Sequence, residues 1–190
     1  MTAVETLILA TYFFVLLILA VYGWHRYYLV YVYMKNKHAQ PMPKGAFDTL
    51  PVVTIQLPLY NEMYVVDRLV DAVCKIEYPR ELLEIQVLDD STDETRQIAE
   101  LAVRRHAMQG VDIKYIHREN RTGYKAGALD EGLRVARGQF VAIFDADFIP
   151  KHDFLTRTID YFTDEKVALV QARWGHVNED YSLQIGRAHV

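Results

Sequence analysis

Gly138-Gln139-Phe140-Val141-Ala142-Ile143-Phe144-Asp145-Ala146-Asp147-Phe148-Ile149-Pro150 is the stretch whose reading decides the fold. Phe140 to Phe144 is an apolar run of β type, and it leads directly into two carboxylates separated by one residue. Alternation along a strand is expected to point Asp145 and Asp147 to the same side. Beyond the C-terminal edge of a sheet, where open α/β folds take ligands, the pair suits a divalent cation, Mg2+ or Mn2+, bridging to a diphosphate. Asp-x-Asp also arises in solvated loops after buried strands, so the rest of the chain has to decide between the two.

Upstream of this stretch, β-type runs alternate with helical patterns. Val52 to Leu57 is a β-rich run that Pro58 is expected to stop. Val65, Val66, Leu69, Val70, Val73 and Cys74 recur at helical spacing, and Tyr78-Pro79 closes that helix. Glu84 to Leu88 is a second strand. Ser91 and Glu94 have the spacing of a capping box for a helix that reaches Met108 and stops at Gly110. Asp112 to His117 is a third strand, Arg118 to Tyr124 a polar loop, and Lys125 to Arg137 a third helix ended by Gly138. Downstream, Phe154 to Phe162 reads as a helix and Val167 to Trp174 as a strand.

Such alternation implies an α/β fold with a doubly wound, mostly parallel sheet and right-handed crossovers. The polar features collect at strand C-termini: Tyr60-Asn61-Glu62, Asp89-Asp90 and Asp145-Ala146-Asp147, with Lys125 at a helix start. In a parallel sheet these stretches meet in one crevice.

The N-terminus differs in character. Thr6 to Trp24 carries no charge and, at about 19 residues, is long enough to cross a bilayer as a helix. Tyr22, Trp24, Tyr27 and Tyr28 cluster at its C-terminal end, where amphipathic rings favour the interface. Arg26, Lys35 and Lys37 follow it, and only Glu5 precedes it, which places the main domain in the cytoplasm. A cleaved signal peptide would want a basic n-region and a small-residue cleavage site, and neither is evident. Residues 1–38 are thus expected to form the transmembrane helix and juxtamembrane segment, 39–50 a linker, and 51–184 the globular domain. Residues 185–190 read unlike what precedes them and are expected to be a non-native tail.

The 190 residues suffice for one domain with a short appendage, and a net charge of −4 gives no reason to propose nucleic acid. Cys74 is the single cysteine, which excludes a disulfide framework. On an apolar helical face it reads as a buried thiol rather than a nucleophile. The first strand is followed by Pro58 and Tyr60 instead of Gly-x-Gly-x-x-Gly, against a dinucleotide-dependent oxidoreductase.

Taken together, the chain resembles the inverting nucleotide-sugar glycosyltransferases of family 2, with the GT-A fold. Within them it looks most like the membrane-bound, cellulose synthase-like β-glycan synthases. The resemblance rests on Leu57-Pro58-Leu59-Tyr60-Asn61-Glu62, Val87-Leu88-Asp89-Asp90-Ser91-Thr92-Asp93, Gly123-Tyr124-Lys125-Ala126-Gly127-Ala128-Leu129 and Phe144-Asp145-Ala146-Asp147, in that order. It implies a UDP- or GDP-sugar donor, a growing glycan as acceptor and a divalent cation as cofactor. Tyr60 would stack on the donor base and Glu62 would accept a base N–H. Asp90 would bind the base, and Asp89 would share that role or cap the following helix. Lys125 would meet the diphosphate, with Gly123 and Gly127 allowing close backbone approach. Asp145 would reach the ribose or the metal, and Asp147 the metal. His117, Arg118 and Arg121 are candidates for further phosphate contacts.

The reaction implied is direct displacement at the anomeric carbon, with a base deprotonating the acceptor hydroxyl. The family's Thr-Glu-Asp and Gln-x-x-Arg-Trp motifs are not in this sequence. Gln171-Ala172-Arg173-Trp174 is one residue too short, and Glu179 and Asp180 are not assigned as base. The base is therefore expected beyond residue 190, and the 190-residue piece is expected to bind donor without turning it over. A non-processive family 2 transferase making a lipid-linked sugar or an exopolysaccharide is the alternative reading.

Overall fold

The computed structural model describes residues 2–38 and 42–172. In chain order the elements are α1 (Ala3–Asn36), β1 (Val53–Leu59), α2 (Val66–Val73), β2 (Leu83–Asp89), α3 (Thr95–Ala107), β3 (Ile113–His117), α4 (Tyr124–Arg134), β4 (Phe140–Ile143) and α5 (Phe154–Thr158). Short 3-10 turns cover Arg80–Leu82 and Ile159–Thr163. The chain divides into two units, Met1–Met42 and Pro43–Val190.

The first unit is α1. Its start is fixed by a reciprocal cap: the Glu5 amide donates to Thr2 Oγ1 (3.3 Å) and the Thr2 amide to the Glu5 carboxylate (2.9 Å). The helix is apolar on all sides, with a mean hydropathy of 2.4 over 18 residues, none of them buried. Its 34 residues rise about 51 Å. It is long and apolar enough to cross a membrane.

The second unit is built on a parallel sheet of strand order β3-β2-β1-β4. From β1 the chain winds outward through β2 to β3, then returns to the other side of β1 to lay down β4. The direction of winding reverses between β1 and β4, which is where doubly wound folds bind ligands. The expected fold class is thereby observed.

The two faces of the sheet differ in chemistry, because successive side chains along a strand point to opposite faces. Val53, Ile55, Leu57 and Leu59 bury themselves against Val66, Leu69, Val70 and Val73 of α2 and Ala99 and Ala102 of α3. The alternate positions Thr54, Gln56, Glu84 and Gln86 are just as buried and are polar. They pair across the β1–β2 register, which sets Thr54 opposite Glu84 and Gln56 opposite Gln86, while Gln86 Nε2 is left without a hydrogen-bond partner among the described residues. Thr54 Oγ1 donates to Glu84 (2.7 Å) and Gln56 Nε2 to Gln86 Oε1 (3.0 Å). The α4 helix covers this layer closely: a Cβ on Gly132 would stand 2.6 Å from Gln56 Nε2 and 2.8 Å from Gln86 Oε1. Glu84 also accepts from Lys114 Nζ (2.6 Å) and the Arg137 amide (2.7 Å).

Several local expectations need correction. Pro58 does not stop β1, which continues through it to Leu59. The Gln56 carbonyl accepts from the Phe144 amide and the Leu59 carbonyl from the Asp90 amide, so even-numbered residues of β1 turn their backbone toward β4. Pro58 therefore presents its missing N–H beyond Ile143, the last residue of β4, where no ladder bond is due. The Ser91–Glu94 capping box does not form. The α3 helix begins at Thr95, and the Thr95 amide donates to Asp93 Oδ1 (3.0 Å). Ser91 Oγ instead accepts from the Asn61 amide (2.9 Å).

Two further boundaries move. The α4 helix ends at Arg134, three residues short of Arg137, and the run Phe154 to Phe162 splits into α5 and a 3-10 turn. Residues 167–172 form no strand, while Arg173, Trp174, Glu179, Asp180 and the tail 185–190 lie outside the described residues. Within the stretch read as linker, Phe47 is docked: its amide donates to Asp160 and its ring meets the edge of Phe140.

Candidate functional site

The C-terminal ends of the four strands are tied into one crevice by side chains from every strand. At the end of β1, Asn61 takes a left-handed backbone (φ 56°), uncommon for a side chain other than glycine. Bonds across to the end of β2 hold it there, since the Asn61 amide donates to Ser91 Oγ and Asn61 Oδ1 accepts from the Thr92 amide (2.9 Å). Tyr60, 39% exposed, is thereby presented to solvent. Glu62 beside it is exposed, and its carbonyl accepts from the Val65 and Val66 amides at the start of α2.

Asp89 and Asp90 part company. Asp89 shares the parity of Ile85 and Val87 and is fully buried on the α2/α3 face. Asp89 Oδ1 accepts from the Ser91 amide (2.9 Å) and Oδ2 from the Tyr115 hydroxyl (2.6 Å). His117 Nδ1 stands 3.8 Å from that carboxylate. Burial, and then the bond to Asp89, raise the Tyr115 hydroxyl above the ordinary tyrosine range. Asp90 is held by a two-point pair with Arg118, with Nε donating to Oδ1 (2.7 Å) and Nη2 to Oδ2. This forked geometry adds direction to the charge pairing.

Arg118 also organises the loop before α4. Its Nη1 donates to the Thr122 carbonyl (3.2 Å) and its Nη2 to the Tyr124 carbonyl (3.1 Å). The loop closes on left-handed Gly123 (φ 74°) and Tyr124 (φ 50°). Gly127 packs so tightly beneath it that a Cβ would overlap the Thr122 carbonyl and stand 2.8 Å from Arg118 Nη1. The space a side chain at Gly127 would need is thus taken by the protein's own loop. Arg121, at the tip, lays its guanidinium carbon 3.2 Å above the Tyr60 ring centre and 5.2 Å from that of Tyr124.

At the start of α4, Lys125 forms an ion pair with Asp145, joining this loop to the end of β4. The Asp145–Asp147 pair lies past the strand, which ends at Ile143. A turn closed by the Phe148 amide on the Asp145 carbonyl (2.9 Å) holds it, so strand alternation does not govern the two side chains. Asp147 is exposed and its carboxylate has no protein partner among the described residues.

A divalent cation fits this donor set. Asp147 offers both oxygens, and Asp145 keeps one beside the lysine. Hard cations of this class take the rest of their shell from water and phosphate oxygens. No group of three metal-ligating side chains occurs among the described residues.

Along the outer side of β4 runs a cleft of about 660 Å3, with Lys125 and Asp145 at its rim and Phe140, Phe148, Phe162 and residues 168–172 among its walls. Val141 and Ile143 of β4 are 38% and 49% exposed. Cys74 lies elsewhere, half-buried, with its thiol pushed up to about 12 chiefly by burial, in keeping with an unreactive cysteine.

Of the residues expected at the site, the structure brings Tyr60, Asp90, Lys125 and Asp145 into one connected set, leaves Glu62 and Asp147 exposed beside it, and buries Asp89 behind it. Sequence reasoning missed the bridging partners. Arg118 and Arg121, candidates for phosphate contacts, rest in this ligand-free arrangement on Asp90 and Tyr60. Asn61 carries the β1–β2 tie, for which the only signal was its place between Tyr60 and Glu62.

The doubly wound parallel sheet, with Asp-x-Asp past the end of β4, is of the GT-A type, and the chain belongs to glycosyl transferase family 2. That family's model matches residues 54–187. The glucomannan 4-beta-mannosyltransferase 9 of Arabidopsis thaliana is 50% identical over 138 residues, which are 70% of this chain and 26% of that relative. The glucomannan 4-beta-mannosyltransferase 1 of Oryza sativa subsp. japonica is 47% identical over 146 residues, 74% of this chain and 28% of its own. Among solved structures, the mannosyltransferase PcManGT of Pyrobaculum calidifontis, in complex with GDP-Man and Mn2+, superposes with a TM-score of 0.65 at 29% identity. That likeness covers 78% of this chain and 44% of PcManGT. The chain spans about a quarter of the length of the curated relatives it matches.

Proposed function

We propose that the chain is the membrane-anchored, donor-binding part of an inverting glycosyltransferase that adds mannose from GDP-mannose to a growing β-glycan. The observation that carries this reading is that one segment, residues 118–125, contacts Tyr60, Asp90 and Asp145 around the winding reversal. The glucomannan mannosyltransferase relatives and the GDP-Man complex of PcManGT support the choice of sugar and nucleotide.

In this reading the base stacks on Tyr60, with Glu62 and the Asp90–Arg118 pair toward its edge. Lys125 meets the diphosphate as a point charge near the start of α4. Asp147 and Asp145 would hold Mn2+ or Mg2+, which would supply positive charge against the departing diphosphate. Lys125 then has two anionic partners, Asp145 and the donor diphosphate. Asp89 acts from behind, holding the Ser91 amide and so the Asn61 tie that presents Tyr60. The mannosyl group points toward the cleft beside β4, where a glycan end approaches.

Anchorage is assigned to α1, with Arg26, Lys35 and Lys37 on the cytoplasmic side.

Titration with GDP in the presence and absence of Mn2+ tests the site. Binding is expected to need the cation, and Asp147→Ala is expected to lose about tenfold or more in affinity. Equal affinity of the variant and the parent would remove the metal assignment.

A further inference from the structure

Three basic side chains are brought to the crevice by the loop between β3 and α4 and by the start of α4. Arg118 is paired with Asp90 and Lys125 with Asp145. Arg121 alone meets no carboxylate among the described residues, and its charge rests on the faces of Tyr60 and Tyr124. At 3.2 Å from the ring centre the guanidinium is in contact with Tyr60 and fills that face. A base stacked there would need its own contact separation of about 3.5 Å, so base and guanidinium cannot occupy the face together.

The backbone around Arg121 is anchored on its C-terminal side. Arg118 grips the Thr122 and Tyr124 carbonyls, and Gly127 is packed against Thr122. The Arg121 side chain is exposed. It can therefore leave the ring by side-chain rotation while the loop stays in place. Its nearest basic neighbour along the chain toward α4 is Lys125, four residues on.

We propose that Arg121 is exchanged by the donor. It caps Tyr60 in the nucleotide-free protein, yields that face to the base, and transfers its unpaired charge to the diphosphate beside Lys125. This rests on the reading of the crevice as a nucleoside-diphosphate-sugar site. Arg121 is then a positioning residue that links base recognition to phosphate recognition: a nucleoside alone displaces the cation without compensation, whereas a nucleoside diphosphate repays the displacement.

Calorimetric titration of the full chain in detergent micelles with Mn2+, using guanosine and GDP as probes, tests the exchange. Arg121→Ala is expected to bind guanosine about two- to fivefold more tightly, because an exposed cation–π contact no longer competes. The same variant is expected to bind GDP about five- to tenfold more weakly, having lost a charge-assisted contact. Arg121→Lys, which keeps the cation, is expected to retain most of the GDP affinity. Equal weakening of both probes in Arg121→Ala would overturn the proposal in favour of a residue that clamps the base from above. Unchanged affinity for both would make Arg121 a bystander. Failure of the parent chain to bind GDP at all would remove the nucleotide reading, and the exchange with it; an unchanged ratio of the two affinities removes the exchange alone.

Discussion

Glu84 shows how much of this molecule is decided by single buried groups. Burial by itself would raise its carboxyl, but the Arg137 amide, Lys114 and the Thr54 hydroxyl outweigh it and hold the group below the ordinary range. A carboxyl lowered in the folded state stabilises fully above the unfolded value of about 4.3, and that contribution is lost as the pH falls through the native value. Urea unfolding of the parent should therefore lose stability between about pH 6 and pH 3 more steeply than Glu84→Gln, which has no proton to take up there. Equal slopes would remove Glu84 from the account of acid sensitivity. At neutral pH, Glu84→Ala takes the acceptor from Lys114, the Arg137 amide and the Thr54 hydroxyl and should cost about 3 kcal/mol.

The same scale shows what was legible in the sequence. The Asp-x-Asp pair, Tyr60, Asp90 and Lys125 could be collected because each follows a strand or opens a helix. The burial of Asp89 was also within reach, since it shares parity with Ile85 and Val87, but adjacency to Asp90 drew the two together. The side chain that would pair with Asp90 or cover Tyr60 depends on where a seven-residue loop lies in space, and no spacing rule supplies that.

At the scale of elements, the loop from Arg118 to Tyr124 and the first turn of α4 behave as one part. Three of its residues fix the backbone: Arg118 by its carbonyl contacts, Gly123 by its left-handed φ, and Gly127 by the space it leaves empty. Gly127→Ala should force the loop off the helix, lower stability by about 1–3 kcal/mol and weaken GDP binding together. Thermal denaturation and titration of the same preparation check this, and a variant with the parent's melting temperature would show that the packing is not needed. The misjudged boundaries have a common cause. Pro58, Ser91 and Gly138 were read by their local habits, whereas each is governed by a neighbour distant in sequence: the early end of β4, the Asn61 amide, and the Thr54 hydroxyl on which the Gly138 amide donates.

For the whole molecule, the division is between a helix with no buried residue and a folded unit with its own core. A helix of this length and hydropathy is long and apolar enough to cross a bilayer, as the proposed anchorage requires. The chain expressed in cells should stay with the membrane pellet through alkaline carbonate washing, and removal of residues 1–42 should release it as a folded protein. Recovery of the full chain in the supernatant would overturn the anchor. The alternation of strands and helices was plain in the sequence, and so was the apolar N-terminus. The polar layer under α4 was not read, although Thr54, Gln56, Glu84 and Gln86 stand at every second position of two β-type runs, the pattern a second covered face requires.

That polar layer has a consequence for how accurately the crevice is made. Apolar faces tolerate sliding, because one aliphatic side chain substitutes for another. A two-residue slip of β1 against β2 would set Thr54 opposite Gln86 and leave Glu84 facing the wrong group in the dark. Such a slip would also carry Tyr60 about 6.6 Å along the strand relative to Asp90. The matched hydroxyl–carboxylate and amide–amide rungs thus act as a vernier: the reading edge lies at the crevice, and the scale that keeps it true is ruled into the interior several residues away.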